Sequence, residues 1–270
     1  MSLPPHLRFD FDKATRVITS FISNLVRESG AKGVVIGLSG GSDSALTATL
    51  AVKALGKDRV KVVHLPERES SGESYRLSKV TAEFLGLELH VLDITKAVEA
   101  FLDLLGLSYE SAPKIVKGNI KVRSRMLTLY AIANLENRLV LGASDRSEWL
   151  IGYFTKWGDG AADAYPIIGL YKTQVRALGL HLGIPEEVVL RPPTPDLWPG
   201  HTAEGELGIT YEQIDEVLYR IFDEGIPAEK VPEVTGIPRK VVERVLELHK
   251  KSEHKRNPLK APFKSFRELL

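Results

Sequence analysis

Eight consecutive residues, Gly37, Leu38, Ser39, Gly40, Gly41, Ser42, Asp43 and Ser44, carry the densest chemical signal in the chain. Paired glycines let a backbone fold tightly and bring its N–H groups close to an anion. The three hydroxyls add donors, and a helix opening just after them contributes a favourable dipole. Asp43 would repel bare phosphate, so its place makes sense where Mg²⁺ lies between carboxylate and phosphate. The stretch lacks the Gly-Lys-Ser/Thr of a Walker A loop and the GxGxxG of a dinucleotide fingerprint. The bland alternative is an ordinary Gly-Ser turn between a strand and a helix. The full SGGSDS run behind an apolar strand favours the phosphate loop. Arg123 and Arg125 are guanidinium forks suited to phosphate or carboxylate, or else part of a solvated basic helix face. His254, Lys255 and Arg256 read equally as a basic helix end offsetting its own dipole. Lys172 reads as a surface lysine at a helix start.

These residues need a scaffold, and the hydrophobic pattern supplies one. Ala14, Val17, Ile18, Phe21, Ile22, Leu25 and Val26 share one helical face, with Gly30 as C-cap. β-rich runs at residues 33–38, 59–65, 87–93 and 138–143 alternate with helical stretches at about 44–55, 73–85 and 118–137. Short connections between them predict parallel βαβ units. The expected fold is therefore α/β, a Rossmann-like open parallel sheet with helices on both faces. Residues 155–170, rich in Gly, Ala and Asp, suit an ordered functional loop. Residues 191–208 carry Pro and Gly at a density that predicts a mobile lid. Helices follow at 211–222, 228–234 and 239–250. Residues 1–270 thus read as one domain: an α/β core (14–190), a lid (191–208) and a helical part (209–270).

Composition removes several classes of function. A chain of 270 residues that is 43% hydrophobic can bury a core, and a net charge of +1 gives no general footprint for nucleic acid. The complete lack of cysteine excludes disulfides, thiolate zinc sites and thiol nucleophiles together. No run has the length of a signal-peptide core or a membrane span, which predicts a soluble, cytoplasmic protein with no membrane partner. Two Gln and two Met beside many Lys, Arg and Glu is a bias seen in thermophile proteins.

The SGGSDS run resembles the SGGxDS signature of the pyrophosphate-loop ATPases. These enzymes cleave ATP between the α and β phosphates, adenylylate a carboxyl or carbonyl oxygen, and let a nitrogen or sulfur nucleophile displace AMP. Further segments, from about residue 15 to 260, are similar to one branch, the NAD synthetases. They are 118–126 (GNIKVRSRM), 148–163 (EWLIGYFTKWGDGAAD), 169–176 (GLYKTQVR), 193–197 (PTPDL) with 206–211 (ELGITY), and 254–258 (HKRNP).

The resemblance implies an adenine nucleotide alpha hydrolase-like fold and an ammonia-dependent ligase that takes ATP, deamido-NAD and Mg²⁺. It places ATP on Gly37 to Ser44, Lys172 and Thr194, and the metal on Asp43 and Glu148. Arg123, Lys156, Asp163, His254 and Lys255 would hold deamido-NAD. Asp159 would orient or deprotonate incoming ammonium, and Lys172 would place its charge where it develops on the ATP phosphates. Tyr153, Phe154 and Trp157 would stack on a pyridine ring. Where relatives often carry Gly-Thr this chain has Gly142-Ala143, with Ser144 next as a substitute hydroxyl. Family members are homodimers with sites drawn from both subunits. Some carry a fused glutaminase that works through a cysteine, which this chain does not contain.

Two rival readings fit parts of the same sequence. One is another pyrophosphate-loop ligase, GMP-synthetase-like or tRNA-modifying. The other is a nucleic-acid binder, because residues 224–256 read like a helix-turn-helix with a basic tail.

Overall fold

In the computed structural model, which describes residues 3–258 and Arg267, alternation along the strands decides the layering. β1 (Gly33–Gly37) turns Val34 and Ile36 to one face and Val35 to the other. β2 (Val60–His64) does the same with Val62 and Val63. With β3 (Leu89–Val91) and β4 (Arg138–Val140) they form a parallel four-stranded sheet in the order β3-β2-β1-β4. Helices α1 (Phe11–Ser29), α2 (Ser42–Leu55) and α3 (Gly72–Leu85) cover the first face. Helices α4 (Thr95–Leu104) and α5 (Lys114–Glu136) cover the second. The α/β fold expected from the sequence is thus present.

The order of strands fixes where a ligand can bind. From β1 the chain runs outward to β2 and β3, then returns to add β4 on the other side of β1. The loops leaving β1 and β4 therefore diverge, and the crevice between them at the strands' C-terminal ends is the usual ligand site of such sheets.

Several element bounds depart from the sequence reading. β3 and β4 are shorter than the runs at 87–93 and 138–143, because each is an edge strand with one partner. Beyond Val140 the chain pairs elsewhere: Leu141 bridges Ala164, and Asp163 bonds the Val140 backbone, so the 155–170 loop is held to the edge of the sheet. Helix α5 begins at Lys114, ahead of Gly118, and α4 occupies a stretch given no element from sequence. Downstream come α6 (Arg146–Ile151), α7 (Lys172–His181) and α8 (Glu186–Val189). The lid region is not wholly irregular, since α9 (Ala203–Leu207) lies within it.

α10 (Tyr211–Leu218) passes into a π-type turn at Tyr219–Asp223 before the expected helix end at 222. α11 (Val231–Thr235), α12 (Arg239–Lys251) and α13 (Glu253–Arg256) complete the described chain. α12 buries Val241, Val242 and Val245 in a second apolar cluster with Tyr211, Ile214 and Val217. The segment resembling a helix-turn-helix is therefore a wall of this cluster, with a first helix of only five residues.

Candidate active site

At the end of β1 the loop turns through Gly40, whose φ is +76°. A Cβ there would also come within 2.5 Å of the Ser74 carbonyl oxygen, so both conformation and space demand glycine. Inside the loop, Ser44 Oγ accepts from the Ser39 N–H at 3.2 Å and donates to the Gly41 carbonyl at 3.2 Å. α2 follows with Gly41 at its N-cap and no side chain capping it. The first-turn N–H groups are thus left for an external acceptor. The loop forms one wall of a cavity of about 280 Å³.

The second wall is a charged centre around Lys172, whose side chain is fully buried. Its ammonium nitrogen lies 2.8 Å from Asp43 Oδ2, 2.9 Å from Asp145 Oδ2 and 2.8 Å from Glu148 Oε1. It also sits 5.0 Å from the centre of the Tyr211 ring. Burial opposes the charged lysine, yet Asp145, Asp43 and Glu148 together hold its ammonium well above the usual range. Burial raises the Asp145 and Glu148 carboxyls against the pull of Lys172.

One cation among three carboxylates leaves an excess of negative charge. Asp145 Oδ2 is buried, 2.9 Å from the Lys172 ammonium, and has no other partner among the described residues. Both features suit a further cation. Among the described residues no three His, Cys, Asp or Glu side chains form a complete metal cage. Mg²⁺ commonly binds through one or two carboxylates plus substrate phosphates, and Asp43 and Glu148 line the cavity in that way.

The backbone of Lys172 is held from two other elements. Its N–H donates to Ser147 Oγ at 2.9 Å, and the Thr173 N–H donates to Asp215 Oδ2 at 2.8 Å. The Ser147 hydroxyl in turn donates to Asp215 Oδ1. Asp215 on α10 therefore supplies the first turn of α7 with the acceptors that its N-cap residue, Tyr171, does not. Burial pushes the Asp215 carboxyl up to about 7, against the hydrogen bonds from Ser147 and Thr173.

That shift has a testable sign. Between the ordinary aspartate range and about pH 7 the folded state holds a proton that the unfolded state has released, so stability falls as pH rises through this window. The difference in melting temperature between wild type and Asp215→Asn should therefore grow in favour of wild type from pH 8 to pH 5. A difference constant with pH in thermal scans would contradict this.

The third wall comes from the 155–170 loop. Gly158 and Gly160 permit its tight turns: a Cβ on Gly158 would lie 2.7 Å from Val122 Cγ1, and one on Gly160 2.5 Å from Phe154 Cδ2. Asp159 Oδ1 accepts from the Thr155 N–H at 2.7 Å, and its carboxyl faces the cavity. Although Asp159 as a residue is exposed, crowding around its carboxyl at the cavity raises it above its ordinary range, despite the Thr155 hydrogen bond.

The structure divides the residues named from sequence into two groups. The phosphate loop apart from Gly40, together with Glu148, Asp159 and Thr194, shares the cavity, with Lys172 directly behind Asp43 and Glu148. Ser144, the substitute hydroxyl, lines it too. The other group lies outside. Arg123 donates to the Lys156 carbonyl at 3.1 Å, and Lys156 places its ammonium 5.6 Å from the Trp157 ring centre. Asp163 accepts from the Val140 N–H at 2.7 Å and from the Tyr130 hydroxyl at 3.3 Å. Lys255 donates to the carbonyls of Gly152 and Phe154 at 2.7 and 2.6 Å, and His254 is exposed.

Arg125, one of the two guanidinium forks named from sequence, lines the cavity, whereas Asp145, Arg191, Tyr211 and Asp215 are site residues not assigned from sequence. Asp145 had a readable signal: it is the N-cap of α6, Oδ1 accepting from the Glu148 N–H at 2.8 Å, and Asp-x-x-Glu is capping-box spacing. Tyr211 and Asp215 are four apart on one helix and so share a face. No local pattern pointed to the role of Arg191.

Comparison with known proteins agrees with this geometry. The family model described as NAD synthase matches residues 14–259. The NH(3)-dependent NAD(+) synthetase of Hyperthermus butylicus is 49% identical over 257 residues, covering 95% of this chain and 92% of its own. Among solved structures, the NMN synthetase of Francisella tularensis superposes with a TM-score of 0.81 at 34% identity, covering 96% of this chain and all of its own. The NH3-dependent NAD synthetase of Campylobacter jejuni gives 0.77 at 29% identity, with the same coverage. A family match over nearly the whole sequence, on a chain whose phosphate loop, carboxylate–lysine centre and Asp159 meet in one cavity, places this protein in the NAD synthase family.

Proposed function

We propose that the chain is an ammonia-dependent ligase that converts deamido-NAD to NAD⁺ with ATP. The observation that carries this reading is the single cavity in which the phosphate loop, Glu148 and Asp159 converge. A nicotinate carboxylate oxygen bonds to the α-phosphorus of ATP as the bridging α–β P–O bond breaks, releasing pyrophosphate. Ammonia then bonds to the acyl carbon as the C–O bond to AMP breaks. Asp159 would orient or deprotonate incoming ammonium, a role that its raised carboxyl supports. The cleft holds reactants in position and offers charge, with no covalent enzyme intermediate. Asp43 and Glu148 are the residues that would hold Mg²⁺, which supplies positive charge to the phosphates. The 191–208 segment would keep water from the adenylate.

These 270 residues hold no cysteine, so no thiol among them can release ammonia from glutamine, and the nitrogen is proposed to arrive as ammonia, free or delivered by a separate protein. The test is NAD⁺ formation from deamido-NAD, ATP and Mg²⁺ with ammonium, and its absence with glutamine. Because a close structural neighbour is an NMN synthetase, nicotinate mononucleotide belongs in the same assay. A higher kcat/KM for the mononucleotide would transfer the reading to that substrate.

The chain is further proposed to act as a homodimer with the dinucleotide bound across the interface. On α5, Val116, Arg123 and Leu127 are spaced by seven and four residues and so fall on one face, and all are exposed. Arg123, an expected dinucleotide ligand, thus lies on the same stripe as apolar side chains that have no cover within the subunit. Leu127→Glu should give a monomer by light scattering and raise KM for deamido-NAD at least tenfold, leaving ATP affinity near wild type. A dimer with unchanged KM would place the interface elsewhere.

A further inference from the structure

Charge on the phosphate side of the cavity does not balance. Lys172, assigned from sequence to the phosphates, is surrounded by Asp43, Asp145 and Glu148. Adding one divalent cation would only neutralise that group, leaving no surplus for a pyrophosphate of several negative charges. Arg125 also lines the cavity, where it donates to the Leu65 carbonyl at the end of β2 at 3.0 Å. Among the described residues, Arg191 is the cation that donates to the backbone of the phosphate loop. The Arg191 guanidinium donates through Nη1 to the carbonyls of Ser39 and Gly40 at 3.3 and 3.2 Å, and through Nη2 to Ser74 Oγ at 2.9 Å.

Three properties mark Arg191 as more than a strut. It lines the cavity. Among the described residues it makes no ion pair with a carboxylate, Asp196 and Glu73 acting on it only at longer range. Its partners are neutral carbonyls and hydroxyls, which hold a guanidinium less strongly than phosphate oxygens do. Its position in the chain also matters. Arg191 opens the 191–208 segment, and Pro192 and Pro193 stiffen the backbone beyond it. The segment is fastened again by Asp196, whose Oδ2 accepts from the Ser71 N–H at 2.9 Å and from Ser74 Oγ at 2.7 Å. Ser74 is thus shared by Arg191 and Asp196.

We propose that Arg191 is a catalytic residue that binds the departing pyrophosphate of ATP, exchanging the Ser39 and Gly40 carbonyls for β- and γ-phosphate oxygens. The fork geometry of arginine suits two phosphate oxygens at once. Because the same residue opens the 191–208 segment, phosphate binding and the seating of that segment are one event. This inference deepens the functional reading above and rests on ATP being cleaved between its α and β phosphates.

The test compares Arg191→Met and Arg191→Lys with wild type by calorimetric titration of pyrophosphate with Mg²⁺, and separately of AMP, with melting temperature as a check on folding. Arg191→Met is expected to weaken pyrophosphate binding at least tenfold while AMP changes less than twofold, and Arg191→Lys to recover part of the loss. Asp196→Ala loosens the same segment without removing a cation and should weaken both ligands alike. Pyrophosphate binding within twofold of wild type in Arg191→Met overturns the proposal. So does a selective pyrophosphate loss in Asp196→Ala equal to that in Arg191→Met. The titrations need no turnover, so a wild-type protein that forms no AMP would sink the functional reading while the Arg191 comparison is still decided.

Discussion

Replacing Lys172 by methionine is expected to abolish NAD⁺ formation and to lower stability sharply, two losses with one origin. The ammonium is enclosed by Asp43, Asp145 and Glu148, and the Lys172 and Asp145 side chains have no exposed surface. Removing the cation leaves these carboxylates facing one another away from water. Breaking a buried ion pair from one side costs about 3–5 kcal/mol. Part of that loss should be avoided by proton uptake, since burial already raises the Asp145 and Glu148 carboxyls. The variant should therefore be relatively more stable at pH 5 than at pH 8, opposite to a simple cavity defect. Activity should fall by about a thousandfold or more, because phosphate charge loses its fixed counter-charge and the remaining carboxylates repel it. Thermal scans at both pH values and a pyrophosphate-release assay check these points. A stable variant retaining a tenth of wild-type activity would show that Lys172 is a passive core residue.

The second large effect separates the two halves of the reaction. Asp159 faces the cavity from the turn made by Gly158 and Gly160, remote from the phosphate loop in sequence and fixed by the Thr155 N–H. Nothing in its contacts ties it to the phosphates. Asp159→Asn keeps the shape and an acceptor for Thr155 while removing the base. Net NAD⁺ formation should drop by about a hundredfold to ten-thousandfold, the usual range for a general base. Exchange of labelled pyrophosphate into ATP in the presence of deamido-NAD, without ammonium, should continue within a few-fold of wild type. Loss of both activities together would mean that Asp159 shapes the adenylylation step. Retention of both would mean that ammonia gives up its proton elsewhere.

These two residues also show where sequence reasoning succeeds and where it stops. A phosphate loop is local chemistry. Its glycine positions, hydroxyls and helix start lie within eight consecutive residues, and Gly40 with φ +76° is a requirement of the chain itself. The Gly158–Asp159–Gly160 turn is local only in part, since Gly160 answers to nearby Phe154 while Gly158 answers to Val122 on α5, which only folding brings close. The alternating apolar strands likewise determined a parallel sheet covered on both faces.

Lys172 is the contrary case. At a helix start it looks like a surface lysine, and only folding brings Asp43, 129 residues away, to within 2.8 Å. Charge that appears solvated in one dimension is buried in three because its partners arrive from other elements. The same reason hides Asp215, which caps α7 from α10, and Arg191, whose acceptors lie about 150 residues upstream.

The helical part misled for a related reason. Residues 224–256 show a turn and an amphipathic helix, but amphipathicity states only that one face must be covered, and here the cover is Tyr211, Ile214 and Val217. Tertiary structure also decided that Arg123, Lys156, Asp163, His254 and Lys255 stand outside the cavity, although the resemblance names them with residues inside it. By itself the sequence determined the fold class, the phosphate loop and the lack of any thiol. Those properties follow from neighbouring residues or from composition. The charge balance of the centre depends on long-range packing, and only the tertiary structure decided it.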